Sequence, residues 1–470
     1  MEASGRQGLD GTKETDESQS DRLPTGRLIA HSTLHVPLTS VQLPISVFLP
    51  AIYATQYGLS LTVLGVIFLA ERIWGTLTDP FVGWLCDRTK SRFGRRKVWI
   101  VAGAVLYTIS AWFLFFPGEG VTPAYLAVAL VAVFLALSML QIPYYAWSGE
   151  LSGNYHERTR ITSYQTIASG IALFAVLVLP TLVDRFSPGN DVLKLNAMGL
   201  AIVFPTIPLT LLALWAFPDR STAPVRKVRR KIPLNEGLRL VLEEKAVFRV
   251  MLADFIITFA QGIRGVLFVF FVSFVMGMPQ LASAMFLLQF MFGIVAAPIW
   301  QAIARRIGKH QAVIVAEIGQ AAVNFGLLLV GEGDLILFVV LAIVQGLMQG
   351  SGNLLLRAML ADVADEHRLR TGVNRTALLF SVFSISSKAG TALPVGVALP
   401  LVAWFGFDPA VAVNPSSGLL AVALVFALGP ALAHVAAAAL VRGFSIDEAR
   451  QQEIRRELAA RDAAEAGTGS

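Results

Sequence analysis

The chain has 470 residues, 55% of them hydrophobic and 15% charged, with a formal net charge of +6 and a mean hydropathy of +0.63. A soluble domain carries about 25% charged residues, so this composition excludes a soluble globular protein and implies a polytopic membrane protein. Cys86 is the only cysteine, which excludes an internal disulfide and a thiolate metal cluster. The positive charge lies in short loops between apolar runs, a topogenic pattern and not a nucleic-acid surface.

In chain order, residues 1–27 are polar, rich in Gly and Ser, and lack an apolar core or cleavage site. They read as a disordered cytoplasmic tail and not a signal peptide. A spanning helix needs about 20 mainly apolar residues. Six such segments follow, near 30–57, 61–86, 97–117, 122–147, 163–184 and 195–217. A basic segment, 219–245, interrupts them. Six more lie near 247–276, 279–304, 311–331, 334–360, 376–405 and 415–442. Residues 444–470 are polar, and the Glu/Arg/Ala content of 446–464 predicts an exposed helix. The expected organisation is a tail (1–27), a six-helix bundle (28–218), a cytoplasmic linker (219–245), a second six-helix bundle (246–443) and a cytoplasmic tail (444–470).

Basic residues order the spans. Lys and Arg cluster after spans two, four, six, eight and ten, as in Arg88–Lys97, Arg158/Arg160 and Arg305/Arg306/Lys309. The alternate loops, such as Gly118-Glu119-Gly120, have almost none. This places both termini in the cytoplasm. The halves also repeat. Gly94-Arg95 after span two parallels Gly308-Lys309 after span eight. Glu150 with Arg158-Thr159 after span four parallels Asp362 with Arg370-Thr371 after span ten, at equal spacing. Parallel six-span repeats build one large class of transporter, with the substrate site at the midplane.

Asp79 lies inside the second apolar run. An acid there costs roughly 2.5–3.5 kcal/mol on insertion scales, and such residues mark ion pathways more often than structure. Arg72, Gly75, Thr76 and Asp79 share one helical stripe. Pro80 cannot donate to the Thr76 carbonyl, leaving an oxygen-rich spot suited to a proton or cation. One carboxylate makes a poor Na⁺ cage, since Na⁺ wants several hard oxygens, which favours H⁺. On span four, Ser138, Gln141, Tyr145 and Ser148 form a polar stripe flanked by Tyr144 and Trp147, a surface that suits a ring-bearing solute. Packing is the plainer reading of each aromatic alone. Asp254, Gln261 and Arg264 on span seven form a second constellation. Arg264 is expected to face the cavity, to hold an anionic group or to answer Glu71. Gln289, Gln345, Gln349 and Asn353 either line the path or join helices.

Several segments carry a resemblance: Gly83-x-x-x-Asp87-Arg88 with Gly94-Arg95-Arg96, Glu71-Arg72-Ile73-Trp74-Gly75 through Asp79-Pro80, Ile142-Pro143-Tyr144-Tyr145, and Ala361-Asp362 through Asp365 to Lys388. They resemble the major facilitator superfamily and, within it, the glycoside-pentoside-hexuronide:cation symporter family. The resemblance implies alternating access and co-transport of a solute with Na⁺, Li⁺ or H⁺, Asp79 matching one of the family's helix-two acids. It places Lys388 opposite that acid as counter-charge, so that protonating Asp79 would release it. It makes Asp87, Arg95, Arg96, Glu150, Arg158, Asp362, Asp365 and Arg370 an inner ion-pair gate. Other family acids are replaced, by Gly75 on helix two and Gln141 on helix four. A helix-one acid falls near Thr39 and a helix-five arginine near Thr166, which weighs against Na⁺ coupling and against a sugar.

No nucleotide loop, metal spacing or nucleophile elbow is found, so the chain does not read as an enzyme. The expectation is an all-α protein of twelve transmembrane helices in the inner membrane. It would be a monomeric, proton-coupled symporter of a small organic solute, with lipid around it and no nucleic acid. It would need no cofactor beyond H⁺, or Na⁺ as the other coupling ion. Asp79, Lys388 and Thr76 would couple the ion, and Arg72, Gln141, Tyr144, Tyr145, Gln261 and Arg264 would shape the solute site. The rivals are a carrier or exporter of a lipid-like or drug-like solute, and a non-transporting membrane sensor or scaffold.

Overall fold

A computed structural model describes residues 23–152, 155–218, 243–349, 352–411, 413–444 and 446–468. The expected N-terminal tail and cytoplasmic linker therefore lie mostly outside the described residues. Among the described residues every regular element is helical: α1 (Thr25–Tyr57), α2 (Leu61–Arg88), α3 (Arg95–Phe115), α4 (Pro123–Glu150), α5 (Tyr155–Phe186), α6 (Asp191–Ala216), α7 (Lys245–Val275), α8 (Ala282–Ile307), α9 (Lys309–Leu327), α10 (Leu335–Gln349), α11 (Gly352–Thr371), α12 (Thr376–Trp404), α13 (Ser416–Val441) and α14 (Glu448–Thr468).

Among the described residues, eleven helices are long and apolar enough to cross a membrane, with α10 and α11 forming one of them. The predicted span near 311–331 is present as α9, which is not one of the eleven. Its buried Glu317, Gln320 and Asn324 dilute an otherwise apolar sequence. Spans one, seven and twelve each widen through a π-helical turn, at Pro44–Phe48, Phe271–Val275 and Leu424–Leu428.

Local chemistry sets the helix ends. Thr122 caps α4 by accepting from the Tyr125 amide at 3.2 Å, with Pro123 in the first turn, where its missing N–H costs nothing. Gly94 (φ 99°) and Gly308 (φ 87°) open α3 and α9 in the same left-handed conformation, which glycine alone adopts freely. The repeat read from the sequence thus extends to backbone geometry.

The contacts sort into two compact units. The first holds the chain to Pro44, Ile73–Leu179 and the stretch from Leu195 through α6. In it α4 packs on α3 over Gly103, where a Cβ would stand 3.0 Å from Met139 Cβ. The buried Tyr107 phenol donates to the Pro37 carbonyl at 2.9 Å. The second unit holds Ile45–Arg72, Pro180–Lys194 and the C-terminal half. Its core includes Val250, Ile257, Trp300, Val313, Leu356 and Phe383. In it α12 lies against α7, where a Cβ on Gly262 would fall 2.4 Å from Pro394, and against the first half of α2, where one on Gly65 would fall 2.7 Å from Pro400. The C-terminal helix departs from expectation. Ile446, Ile454 and Leu458 are buried in the core of this unit, and Arg368 pairs with Asp462 at 2.6 Å. One face of α14 is therefore packed, not solvated.

Candidate functional site

Asp79 stands in the interior of α2, with Pro80 directly after it. The Ser138 hydroxyl of α4 donates to Asp79 Oδ1 at 2.6 Å. Ser138 itself is buried. The polar stripe of span four therefore meets the acid of span two through its first member. Directly before Asp79 in the chain, Thr78 donates to the Gly75 carbonyl at 3.1 Å, while Thr76 is exposed.

Arg72 is half-buried, and its Nε lies 3.5 Å from Glu71 Oε2. Glu71 is 1% exposed, and no hydrogen-bond donor reaches either carboxylate oxygen among the described residues. Sequence reasoning treated Glu71 only as a charge for Arg264 to answer. The structure gives Arg264 to amides instead. It is buried, and it donates to Asn324 Oδ1 at 3.1 Å and to Gln289 Oε1 at 3.3 Å. Its guanidinium also lies 5.1 Å from the Phe426 ring centre. Gln261 is half-buried one turn earlier on α7. Asp254 accepts from Ser387, next in sequence to Lys388, whose side chain is exposed.

The two tyrosines of α4 part company. Tyr144 is fully buried: its hydroxyl donates to the His31 carbonyl at 3.1 Å and accepts from Gln165 at 3.1 Å. Ser148 belongs to the same interior network, 2.9 Å from His31 Nε2. Tyr145 is 45% exposed, and Gln141, one turn before it, hydrogen-bonds its phenol. Adjacent helix residues point about 100° apart. This is why one tyrosine joins helices and the other is partly exposed.

The charges after the repeated helices pair within their own halves. Arg96 bonds Glu150, with Arg95 at 3.8 Å, in the first half. Lys309 bonds Asp362 at 2.5 Å in the second. The bonded partners Arg96–Glu150 and Lys309–Asp362 lie 54 and 53 residues apart in the chain. Arg370 pairs with Glu244, Arg158 Nε donates to the Ser152 carbonyl at 2.8 Å, Asp87 is exposed and Asp365 half-buried.

Sequence reasoning missed one further cluster. Glu317 of α9 and His434 of α13 are both 0% exposed and lie 2.6 Å apart. The available signal was three polar residues, 317, 320 and 324, on one face of an apolar span.

Residues 32–448 match a family model described as MFS/sugar transport protein. The inner membrane symporter YicJ of Escherichia coli (strain K12) is 23% identical over 411 residues, covering 83% of this chain and 85% of its own. The isoprimeverose transporter of Lactiplantibacillus pentosus is 23% identical over 355 residues, 74% and 73% of the two chains. The sodium-dependent lysophosphatidylcholine symporter 1-A of Danio rerio is 24% identical over 434 residues, 84% and 80%. The crystal structure of the nucleoside transporter NupG superposes with a TM-score of 0.59 at 15% identity, covering 88% of this chain and 98% of that one. That likeness carries the fold alone: a major facilitator fold. The chain is a transporter and not an enzyme. With its many apolar helices and a family model that spans most of its length, it belongs to the MFS/sugar transport protein family, as a multi-pass secondary transporter.

Proposed function

We propose that this protein is a proton-coupled symporter of a small organic solute, with Asp79 as the residue that carries the coupling ion. The observation behind this is the Asp79 carboxylate inside a membrane helix, where it accepts from the buried Ser138 hydroxyl of α4. A buried carboxylate can exchange a proton, whereas Na⁺ asks for several hard oxygens around it, and Gly75 stands where the family resemblance expects a second acid. Lys388 is the companion charge in this reading, and Arg72, Gln141 and Tyr145 shape the solute site. Twelve spans with α9 as the ninth, both termini in the cytoplasm, a monomer and residence in the inner membrane complete it. The ion pairs of Glu150 and Asp362 serve as the inner gate.

The solute class has two readings. A glycoside fits the relatives named as sugar carriers. A lipid-like solute is favoured by a specific observation: Tyr144 and Ser148 are spent on the interior network with His31 and Gln165, which leaves few polar groups to grip sugar hydroxyls. It also fits the fish relative's name.

The test is uptake into vesicles of a panel of glycosides and lysophospholipids under imposed pH or Na⁺ gradients, beside Asp79→Asn. Gradient-driven accumulation that Asp79→Asn abolishes supports the reading. Accumulation that needs Na⁺ at fixed pH, or that survives in Asp79→Asn, overturns it.

A further inference from the structure

The C-terminal half contains a buried polar chain that the Asp79 reading does not use. His434 Nδ1 lies 2.6 Å from Glu317 Oε2. Gln320 donates to Glu317 Oε1 at 3.2 Å and accepts from Gln345 at 3.1 Å. Asn324 donates to the Gln320 carbonyl at 2.7 Å and accepts from Arg264 at 3.1 Å. Arg264 continues to Gln289, and Gln289 to Gln349 at 3.1 Å. Five helices, α7, α8, α9, α10 and α13, are joined in one run.

We propose that the Glu317–His434 pair is a proton-binding site, separate from Asp79, that exchanges one proton and is linked electrostatically to Arg264 through these amides.

Three considerations support it. First, a run of amides alone would tie helices together without charge. Placing an acid, an imidazole and a guanidinium in a dry interior is costly, and groups of that kind inside a membrane protein mark ion or proton routes by default. Second, the charges balance in only one way. Arg264 is bonded to amides, and the acid in its network is Glu317, seven residues before its partner Asn324 on α9, a rise of roughly 10 Å at 1.5 Å per residue. With His434 neutral, Glu317⁻ and Arg264⁺ cancel. One added proton, on either the carboxyl or the ring, gives the cluster a single positive charge. The site therefore has two states that differ by one proton and one unit of charge. Third, His434 Nε2 has no hydrogen-bond partner among the described residues. The surroundings satisfy neither a ring N–H nor a ring lone pair at that atom, so they do not lock the imidazole into one protonation state.

The neighbouring helices leave the pair little other charge. Helix α10 and the Leu424–Leu428 turn carry no ionisable residue. Helix α7 carries Arg264, Asp254, which is bonded to Ser387, and Lys245 and Arg249 in its first two turns. Arg357 lies on α11, and Arg305 and Arg306 close α8 at its last turn. The start of α11 comes close to the pair: a Cβ added at Gly352 would stand 3.7 Å from Glu317 Oε1, an ordinary contact distance.

The experiment uses the full chain in lipid nanodiscs, with the proton itself as probe. Infrared difference spectra are recorded on stepping from about pH 8 to about pH 5, the range in which imidazole and perturbed carboxyl groups exchange protons, for the wild type, Glu317→Gln and Asp79→Asn. In parallel, nitrogen-15 NMR follows the histidine rings of the wild type, with His434 assigned through His434→Gln. The expected result is a protonation signal lost in Glu317→Gln and kept in Asp79→Asn, with the His434 nitrogens moving in the same step. A Glu317→Gln spectrum that superimposes on the wild type overturns the proposal, and so does a static His434 across the range. The His434 measurement needs no Glu317 variant and decides the matter even if that variant does not fold. A signal lost only in Asp79→Asn supports the Asp79 reading and overturns this one, so the two fail separately.

Discussion

Replacing Ser138 with alanine separates the possible coupling ions. The Ser138 hydroxyl donates to Asp79 Oδ1 at 2.6 Å, and hydrogen bonds to charged groups are worth roughly 1.5–3 kcal/mol. Each ~1.4 kcal/mol is about tenfold in a binding constant. The substitution removes one oxygen atom from a buried position and leaves the helix contact otherwise in place. For a proton, the lost donor no longer supports the carboxylate, so Asp79 holds the proton about ten- to a hundred-fold more tightly. For Na⁺, the lost oxygen is a ligand, and affinity falls by a similar factor. The two ions therefore predict opposite changes. Thermal stabilisation reports both without a known solute, since an ion that binds the folded state adds RT ln(1 + [L]/Kd). The assay is the melting temperature of purified wild type, Ser138→Ala and Asp79→Asn in two series, pH at fixed choline chloride and NaCl at fixed pH. We expect Ser138→Ala to move the pH at half response up by about one unit or more, with no NaCl response in any variant. A NaCl response that Ser138→Ala weakens would refute the proton assignment. Identical curves for all three proteins would refute Asp79 as the ion site.

Four further outcomes follow from the packing and the charges. Gly346→Ala places a Cβ 2.4 Å from the Gln289 carbonyl oxygen and 2.8 Å from Phe292 Cβ; it should destabilise the protein by about 1–3 kcal/mol in a melting assay. Gly118→Ala, with nothing within 4 Å, should melt as the wild type does. Asp362→Asn leaves Lys309 without its carboxylate partner and should lower stability by about 1 kcal/mol or more, with the loss shrinking in high salt. Truncation before Ile446 removes the buried Ile446, Ile454 and Leu458, each worth up to about 1.5–3 kcal/mol. It should expose α11 to limited proteolysis, and an unchanged digestion pattern would count against a packed α14.

Most spans were legible because hydropathy and loop charge act locally. The apolar run and the Lys/Arg cluster behind it are neighbours in sequence, as at α2 with Arg88–Lys97. The repeat was legible for the same reason, and the paired glycines at 94 and 308 carry it into backbone geometry. What the sequence hid is the pairing of distant residues. Glu317 and His434 lie 117 positions apart, and no local pattern brings an acid on one helix to an imidazole on another. Tyr144 and Tyr145 look alike as letters, and only the helix rotation assigns one to packing and the other to open space. Arg264 looked like an anion site because a lone arginine in an apolar span demands a partner. The partners are the amides of Asn324 and Gln289, which carry no charge to mark them. The packed face of α14 was masked by its Glu and Arg content, although Ile454 and Leu458 sit one turn apart.

Helices α1, α2 and α5 each pass from one compact unit to the other partway along, at Pro44–Ile45, Arg72–Ile73 and Leu179–Pro180. Two of these three crossings fall on a proline, which has no amide hydrogen to leave stranded. In hydrocarbon a stranded amide costs several kcal/mol, so an unbroken helix resists flexure there far more than one already missing a rung. Helices α1 and α5 thus each lack one backbone rung where they pass from one unit to the other. A substitution that restores the rung, such as Pro180→Ala, would stiffen a rod without touching any residue that meets ion or solute.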